Sequence, residues 1–509
     1  MKYRKNLKTE IIFLVTSALI IFFWKLQSFQ DIIFNVDEIE WIYCLNKCYL
    51  NPIPFEGFDA HTSGPLAIYL LIPLKFITHT ISLTSLRLYA VLVFVLPTIF
   101  FVFYTFKGVY KYLAVLLFIS VHLIFNKDFF AYNTEYPLQM FISIIMFLFS
   151  ISKLNFRMVS IILILIFCLP FIKFQALIFS FFFATLLIYK IFIFQRSLFL
   201  KSVLLASIIG VLILLLLHFF VGVDLFYYSY ITRNVQYASS FSNKSWFIAV
   251  VENINKHIDL FASFYLLLSL LLFLYVRKFF DRINLNSFKL NSVFIFRLFM
   301  FFGLFIVAFL SVLAPKNNFI HYYTLMFIPI VYLIVYLSEH VKITSTIVLL
   351  LFLLINSNVV TYANELLYSK YIKGSYKNKL FYEKYTLDRS INKEIDFLLK
   401  KYSDKNKSIV VLGWFNALPI YYKYKENFNF PYRSGHADFL VSSSKLKDRS
   451  SFDTEYQNLI HDITSNKTLL LDVENVFLKI NSKNIDAYLK ANYDKVNSES
   501  GMVLYVPKD

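Results

Sequence analysis

Long apolar runs separated by short polar segments dominate the first 361 residues. Ten runs are long enough to approach the ~30 Å hydrocarbon thickness of a bilayer, near 10–28, 86–106, 110–126, 137–152, 158–194, 201–222, 258–276, 294–313, 321–338 and 343–361. The run 158–194 is about twice the usual span and carries Pro170, Lys173 and Gln175 at its middle. We therefore expect two short helices that meet near Lys173, and about eleven spans in all.

The pattern changes near Thr361 to a polar segment rich in Lys, Asn, Asp and Tyr. Its length of about 145 residues suffices for one domain. Short apolar runs at 408–414, 468–473 and 502–506 predict strands, and 484–493 predicts a helix between the last two. The expected organisation is a transmembrane domain over 1–361 and a soluble α/β domain over 362–509.

Composition supports this division. Hydrophobic residues make up 58% of the 509 residues and charged residues only 16%, which excludes a soluble globular chain. The net charge of +18 first suggests nucleic acid, but Lys and Arg accumulate in the cytoplasmic loops of membrane proteins. We therefore expect membrane lipids as partners and no nucleic acid.

The segment 65–80 decides on which side every later loop lies. If it does not cross, the basic clusters lie on the same side as the basic N-terminus, namely Lys107/Lys111, Lys153/Arg157, Lys190/Arg196/Lys201, Arg277/Lys278/Arg282/Lys289/Arg297 and Lys342. The positive-inside rule thus predicts that segment 65–80 does not cross the membrane but lies as a helix in its outer interface. The first loop, segments 127–136, 223–257 and 315–320, and the C-terminal domain then face the exterior or periplasm of a cytoplasmic membrane.

Two acidic positions are candidates for catalysis on the outer side. Asp37 and Glu38 follow the first span, and Glu135 precedes the span that begins near Pro137. Carboxylates near the outer membrane surface could act as acid and base on a lipid-linked substrate, or could share a divalent metal. The spacing of the acids in the sequence does not decide between these roles. The alternatives are that Asp37 and Glu38 solvate a loop and that Glu135 favours a helix N-terminus.

Basic and aromatic residues form a second set of candidates. Lys173 lies in a mid-membrane run, where a lysine costs roughly 3 kcal/mol unless it lines a polar cavity, and Gln175 is beside it. Lys316, His321 and Tyr322 at the start of a late span could cradle a phosphate, or could anchor the helix in the interface. Arg233 and Tyr237 could stack on a sugar or pack a loop.

The order of these elements resembles the GT-C membrane glycosyltransferases of the protein O-mannosyltransferase and aminoarabinose transferase type. The matching features are Asp37-Glu38 after the first span, HTSGPLAIYLL (61–71), Glu135 about one hundred residues after the first acids, IKFQAL (172–177) and HYYTLMFIP (321–329). Ser63-Gly64 replaces the family's frequent Lys-Pro or Pro-Pro, and Glu135 replaces a frequent Asp. VLGWFNALPIYYKYKENFNFPYRSGH, with Arg433 after a Pro-Tyr, looks like the extracytoplasmic domain of bacterial relatives.

The resemblance implies an inverting transferase that moves a sugar from a polyprenyl-phosphate donor to an extracytoplasmic lipid, glycan or protein. Asp37 would be the base, with Glu38 and Glu135 orienting the substrate. Lys173, Gln175, Lys316, His321 and Tyr322 would bind the donor phosphate, and His61, Arg233 and Tyr237 would bind substrate. The resemblance makes no cofactor certain, and a divalent metal could assist.

Two other functions fit the same outline. A polyprenyl-linked glycan flippase, polymerase or ligase would also need many spans and outer basic residues, but a flippase needs a continuous polar path through its spans. A noncatalytic scaffold would leave the acids of the first loop dispensable. The sequence lacks G-x-x-x-x-G-K-[ST], Cys/His zinc spacing and G-x-S-x-G, which disfavours ATP-driven pumping, zinc hydrolysis and serine acyl transfer.

The one-sided basic clusters predict the orientation of the chain. A topology reporter fused after Arg282 should be cytoplasmic, and one fused after Thr361 should be extracytoplasmic, because Lys and Arg near span ends are retained inside. Protease accessibility of the two fusions measures this. A cytoplasmic reporter after Thr361, together with a bilayer-crossing segment 65–80, would contradict the orientation.

Overall fold

The computed structural model describes residues 2–29, 35, 37–55, 57–58, 63–78, 80–124, 127–235, 246–282, 292–315, 319–342, 389–402, 408–412, 417–424, 468–473, 475–477, 483–498 and 501–508. The described part of the chain is predominantly helical. Its first nine α-helices are α1 Lys2–Lys25, α2 Asp37–Leu50, α3 Pro65–Tyr69, α4 Ile72–Ile77, α5 Leu83–Ala90, α6 Leu96–Thr105, α7 Tyr110–His122, α8 Lys127–Phe130 and α9 Glu135–Ser150.

The remaining elements follow in chain order. They are α10 Phe156–Ile172, α11 Leu177–Phe194, α12 Phe199–Leu216, α13 Val223–Phe226, α14 Trp246–Arg282, α15 Ser292–Leu313, α16 Phe327–Val341, α17 Arg389–Tyr402, β1 Ile409–Leu412, α18 Ala417–Tyr424, β2 Leu469–Asp472, α19 Lys483–Asn492, β3 Tyr493–Asn497 and β4 Val503–Pro507. Turns of π-helix occupy Val91–Val95, Leu217–Val221 and Tyr227–Thr232, and 3-10 turns occupy Leu26–Ser28, Phe174–Ala176, Arg196–Leu198 and Ile320–Met326. Helix α14 is kinked at Phe261.

Seven helices of the described residues are long and apolar enough to cross a membrane. They are Leu7–Lys25, Leu83–Thr105, Phe174–Phe194, Arg196–Val221, Leu260–Arg277, Ser292–Leu313 and Ile320–Val341. Pro65–Ile77, Tyr110–His122, Glu135–Ser150 and Phe156–Ile172 are shorter apolar helices. The chain therefore has the helices of a membrane-embedded protein.

The predicted division of 158–194 is confirmed, because α10 ends at Ile172 and α11 begins at Leu177. Segment 65–80 contains the two short helices α3 and α4 in place of one continuous helix. The predicted span 343–361 and the predicted domain boundary after 361 lie outside the described residues. The predicted strands lie at β1, β2 and β4, and the predicted helix 484–493 corresponds to α19.

Two helices of unit 1 begin with a side-chain cap. Asn155 caps α10 by accepting a hydrogen bond from the Met158 N–H at 2.9 Å. Ser82 and Ser85 form a reciprocal capping box at the start of α5. Such side chains satisfy N–H groups that have no partner inside the helix, which matters most where water is scarce.

The chain divides into two compact units. Unit 1 comprises Met1–Gln30, Thr62–Val223 and Ser242–Tyr376, and unit 2 comprises Asp31–His61, Asp224–Phe241 and Lys377–Asp509. The core of unit 1 includes α16, whose span is 94% buried, whereas the span that includes α12 is 0% buried. An apolar helix with so little buried surface suits a lipid environment. Helix α16 is packed by protein, and α7, α14 and α15 are among its neighbours.

Unit 2 contains α2, the described C-terminal helices and a four-stranded sheet of order β1-β2-β4-β3. Strands β1 and β2 are parallel, with Ile409 opposite Leu469, and the other two pairs are antiparallel. Both β1 and β2 are buried along their whole length, as their continuous apolar sequences predict. The buried Asp472 carboxylate ends β2 by accepting from the N–H groups of Val476 and Phe477 at 2.7 and 3.1 Å.

Gly64 is required where the chain enters α3. Its N–H donates to the Ile172 carbonyl at 2.9 Å, and a Cβ on Gly64 would lie 1.9 Å from the Phe171 carbonyl oxygen. Gly64→Ala should therefore lower the free energy of unfolding by about 1–3 kcal/mol, because neither backbone can yield without moving its helix. Thermal unfolding of the purified protein in detergent measures the loss.

Gly210→Ala is the matched control. A Cβ at Gly210 meets nothing within 4 Å, and alanine favours a helix interior over glycine by up to ~1 kcal/mol. Its melting temperature should equal or exceed that of the parent protein. Equal melting temperatures for the two variants would show that the approach of Gly64 to Phe171 is not a packing constraint.

Candidate functional site

A break between α10 and α11 places Lys173 in unit 1. Pro170 lacks the N–H that would donate to the Ile166 carbonyl, and Ser180 Oγ donates to that carbonyl instead, at 2.8 Å. Two residues after Pro170 the helix ends, and Lys173 has an extended backbone with φ −154° and ψ 132°. The helix thus ends after the proline, and the serine of the next helix satisfies the Ile166 carbonyl that Pro170 leaves without a donor.

The ammonium of Lys173 forms a buried ion pair with Glu135. The Glu135 Oε1 accepts from Nζ, and the two side chains are only 1% and 4% exposed. Nζ also lies 4.3 Å from the centre of the Tyr322 ring, a distance at which the ring face attracts a cation. We call Glu135, Lys173 and Tyr322 the ion-pair site.

Glu135 is the first residue of α9, where the helix dipole favours a negative charge. Its second oxygen, Oε2, is buried and has no hydrogen-bond partner among the described residues. The carboxylate is therefore only half satisfied. Since Glu135 and Glu38 are both fully buried, neither of them solvates a surface loop.

Polar contacts hold the segments around the ion-pair site. Gln139, one turn along α9 from Glu135, donates from Nε2 to the Thr324 carbonyl at 2.7 Å, which fixes α9 against the 3-10 turn Ile320–Met326. Ser63 forms a backbone bridge with Lys173, and its Oγ lies 3.2 Å from Thr134 Oγ1. The residues on each side of the ion pair are thereby fixed to one another.

The other predicted phosphate ligands take different positions. His321 is 8% exposed, with its ring centre 5.6 Å from that of Phe319 and 4.5 Å from that of Tyr322. The Gln175 carbonyl accepts from Ser311 Oγ at 3.0 Å, while its side-chain Oε1 has no partner among the described residues. Lys316 lies outside the described residues.

Tyr132 adds a neutral hydroxyl to the segment that precedes α9. Burial, and then the nearby Tyr89 and Glu135, raise the pKa of the Tyr132 phenol. The phenol therefore stays protonated at neutral pH and keeps its capacity to donate a hydrogen bond.

A second polar cluster in unit 1 was not anticipated from the sequence. Tyr323 donates to Asn253 Oδ1 at 2.9 Å, and its ring centre lies 4.0 Å from that of His257. Burial lowers the pKa of His257 to about 3, so the imidazole is neutral. Asn253 and His257 are four residues apart, and such spacing of polar residues on one helical face was the available signal.

In unit 2, Asp37 and Glu38 begin α2. The Asp37 N–H donates to Asn35 Oδ1 at 3.0 Å, and the Glu38 N–H donates to the Asn35 carbonyl at 3.2 Å. Asp37 is half-buried, whereas Glu38 and Glu40 are buried. The first turn of α2 therefore carries three carboxylates, where the helix dipole stabilises negative charge.

The predicted substrate-binding residues are only partly described. Arg233 is 3% exposed in unit 2, close in sequence to Tyr230, whose phenol pKa is raised by burial. Tyr230 in turn packs on Phe55, with ring centres 6.1 Å apart. His61 and Tyr237 lie outside the described residues.

Among the described residues, no group of three or more His, Cys, Asp or Glu side chains is arranged to hold a metal ion. Comparison of the chain with protein-family models, curated proteins and solved structures gives no match.

The ion pair should appear as thermodynamic coupling between Lys173 and Glu135. Lys173→Met leaves a buried carboxylate without its counter-charge and should cost about 3–5 kcal/mol. Glu135→Gln keeps an acceptor for the ammonium and should cost about 1–3 kcal/mol. The double variant should be more stable than the sum of the two losses predicts, as measured by unfolding in detergent.

Lys190 provides the control for this cycle. It is also buried, but its Nζ donates to the Phe149 and Ile151 carbonyls at 2.7 and 2.6 Å. Lys190→Met combined with Glu135→Gln should be additive within about 0.5 kcal/mol. If the stability losses of Lys173→Met and Glu135→Gln are also additive, the two side chains are not thermodynamically coupled.

Proposed function

We propose that this protein is an inverting membrane glycosyltransferase that takes a sugar from a polyprenyl-phosphate donor and transfers it to an extracytoplasmic acceptor. The observation that carries the proposal is the buried ammonium of Lys173, at a helix break in an apolar helical unit, beside a carboxylate and an aromatic ring. Ionisable groups at membrane depth are costly and mark substrate sites. A polyprenyl chain holds its phosphate close to the membrane.

The expected roles follow the charges that develop in the reaction. As the sugar leaves, negative charge grows on the donor phosphate, and Lys173 with His321 and Lys316 would stabilise it. Tyr322 and Gln175 would complete the phosphate-binding set. A phosphate is a good leaving group, so no general acid is needed.

Asp37 is the proposed base that takes the proton from the acceptor, with Glu38 and Glu135 orienting substrate. Its position in the first turn of α2 supports an ionised carboxylate, which is the form a general base requires. His61, Arg233 and Tyr237 are the proposed substrate contacts.

The proposed topology has about eleven spans. It adds Tyr110–His122, Glu135–Ser150, Phe156–Ile172 and segment 343–361 to the seven long apolar helices, with Pro65–Ile77 in the outer interface. The N-terminus would be cytoplasmic, and an α/β domain over 362–509 would be extracytoplasmic, in a bacterial-type cytoplasmic membrane. The one-sided Lys and Arg clusters support this orientation.

Lipid analysis of cells that lack the chain tests the activity. The deletion should accumulate a polyprenyl-phosphate sugar and lose that sugar from one glycan, lipid or protein. Complementation with Asp37→Asn should leave turnover roughly 100-fold below wild type, since the amide keeps the size of the side chain but cannot accept the proton. The amount of membrane-inserted protein is measured in parallel.

Asp396→Asn is the matched control, because it makes the same chemical change at an exposed residue that pairs with Lys423 at 2.8 Å. It should restore wild-type lipid composition. A fully active Asp37→Asn enzyme would remove Asp37 as the base. A deletion that accumulates no lipid-linked sugar would overturn the transferase, and accumulation of the donor on the cytoplasmic leaflet alone would indicate a flippase.

A further inference from the structure

Three lysines in the described part of unit 1 are buried, and they are held in two different ways. Lys190 donates to two main-chain carbonyls at the end of α9. Lys25 donates to the Phe129 carbonyl and to the Tyr136 hydroxyl. Neutral oxygens therefore suffice to bury a lysine in this protein, and Lys173 differs from the other two because its acceptor is a carboxylate.

The Glu135 carboxylate is poorly satisfied for a permanent structural partner. A carboxylate has about four acceptor positions, yet Oε2 is buried with no partner among the described residues. A buried ion pair offsets its desolvation cost only when the remaining positions are also hydrogen-bonded. The unused oxygen indicates a group that has another partner in a different state of the protein.

Gln175 shows the same deficiency two residues after Lys173. Its buried Oε1 is an acceptor without a donor among the described residues. The break between α10 and α11 thus combines a cation that is paired with an anion and acceptor oxygens that have no donor among the described residues. A sugar phosphate carries both, namely phosphate oxygens for the ammonium and hydroxyl groups for the carboxylate and the amide.

We propose that Glu135 is a displaceable counter-ion, which neutralises Lys173 while the site is empty and yields that cation to the donor phosphate when the donor binds. This inference rests on the proposed function. The released carboxylate remains at the N-terminus of α9, where the helix dipole favours it, and it accepts a hydrogen bond from a sugar hydroxyl. Glu135 is accordingly a positioning residue and takes no proton in the transfer step.

The effect of one substitution on the affinity for a lipid phosphate distinguishes this role from a structural one. Glu135→Gln removes the charge that competes for Lys173 but keeps an acceptor for a sugar hydroxyl. Affinity for a lipid phosphate should therefore rise, by roughly 10- to 100-fold, the equivalent of one charge-assisted hydrogen bond. Loss of a merely structural contact would lower the affinity or leave it unchanged.

The experiment uses the full-length protein in nanodiscs and measures binding of farnesyl phosphate, with farnesol and inorganic phosphate as separate probes. Glu135→Gln should bind farnesyl phosphate more tightly and farnesol equally. Lys173→Met should bind the two lipids alike, and Lys190→Met should behave as wild type. Tighter binding of inorganic phosphate to Glu135→Gln, without a gain for farnesyl phosphate, would overturn the lipid-phosphate assignment.

Glu135→Asp is a second variant, because it keeps the charge but shortens the side chain by one methylene. Its affinity for farnesyl phosphate should lie between those of the wild type and Glu135→Gln. If Glu135→Gln does not accumulate as folded protein, Glu135→Asp alone tests the counter-ion role. Unchanged or weaker binding of farnesyl phosphate by a folded variant would overturn the counter-ion role. The proposed transferase function would still stand in that case if the lipid analysis shows sugar transfer. Tighter binding of farnesyl phosphate by the variant, with no sugar transfer in the lipid analysis, would refute only the proposed function.

Discussion

Burial of the Lys173 ammonium within an apolar helical unit is the constraint on which the arrangement of the site depends. Neither α10 nor α11 supplies an anion, so the counter-charge comes from Glu135, 38 residues earlier in the chain. The pairing brings the first turn of α9 to the break between the two helices, and the Tyr322 ring covers the cation. Three segments distant in sequence thus meet at one cation, and the hydrogen bond from Gln139 to the Thr324 carbonyl also joins two of them.

Several buried polar groups of unit 1 are satisfied by main-chain carbonyls. Lys190 donates to carbonyls at the end of α9, and Ser180 donates to the carbonyl that Pro170 leaves free. Such contacts are expected where no water is present to replace them. Other buried atoms, such as Gln175 Oε1, also lack a partner among the described residues, but Glu135 Oε2 belongs to a carboxylate whose other oxygen holds a buried lysine. That combination is why Glu135 indicates ligand chemistry and the satisfied lysines do not.

The break at Lys173 could be predicted because it is a local event. Pro170 removes a helical hydrogen bond, and the long apolar run exceeds one span, whatever packs nearby. The pairing of Lys173 with Glu135 could not be predicted in this way. The sequence predicts Lys173 as a phosphate ligand and Glu135 as a catalytic acid, with no link between them. Only the packing of α9 against the break brings the two residues together. The cluster of Tyr323 with Asn253 was missed for the same reason, since its hydrogen bond joins residues 70 positions apart.

The sequence by itself determined the helical class, the positions of the long apolar helices, the division of 158–194 and the strands near the C-terminus, since periodicity and chain-breaking residues act over a few neighbours. The tertiary structure decided which apolar helix is surrounded by protein and which is exposed, as α16 and α12 illustrate. It also decided that Glu38 and Glu135 are buried. These outcomes depend on contacts between distant segments, and the free energy of a buried charge is set by the partners that those contacts supply.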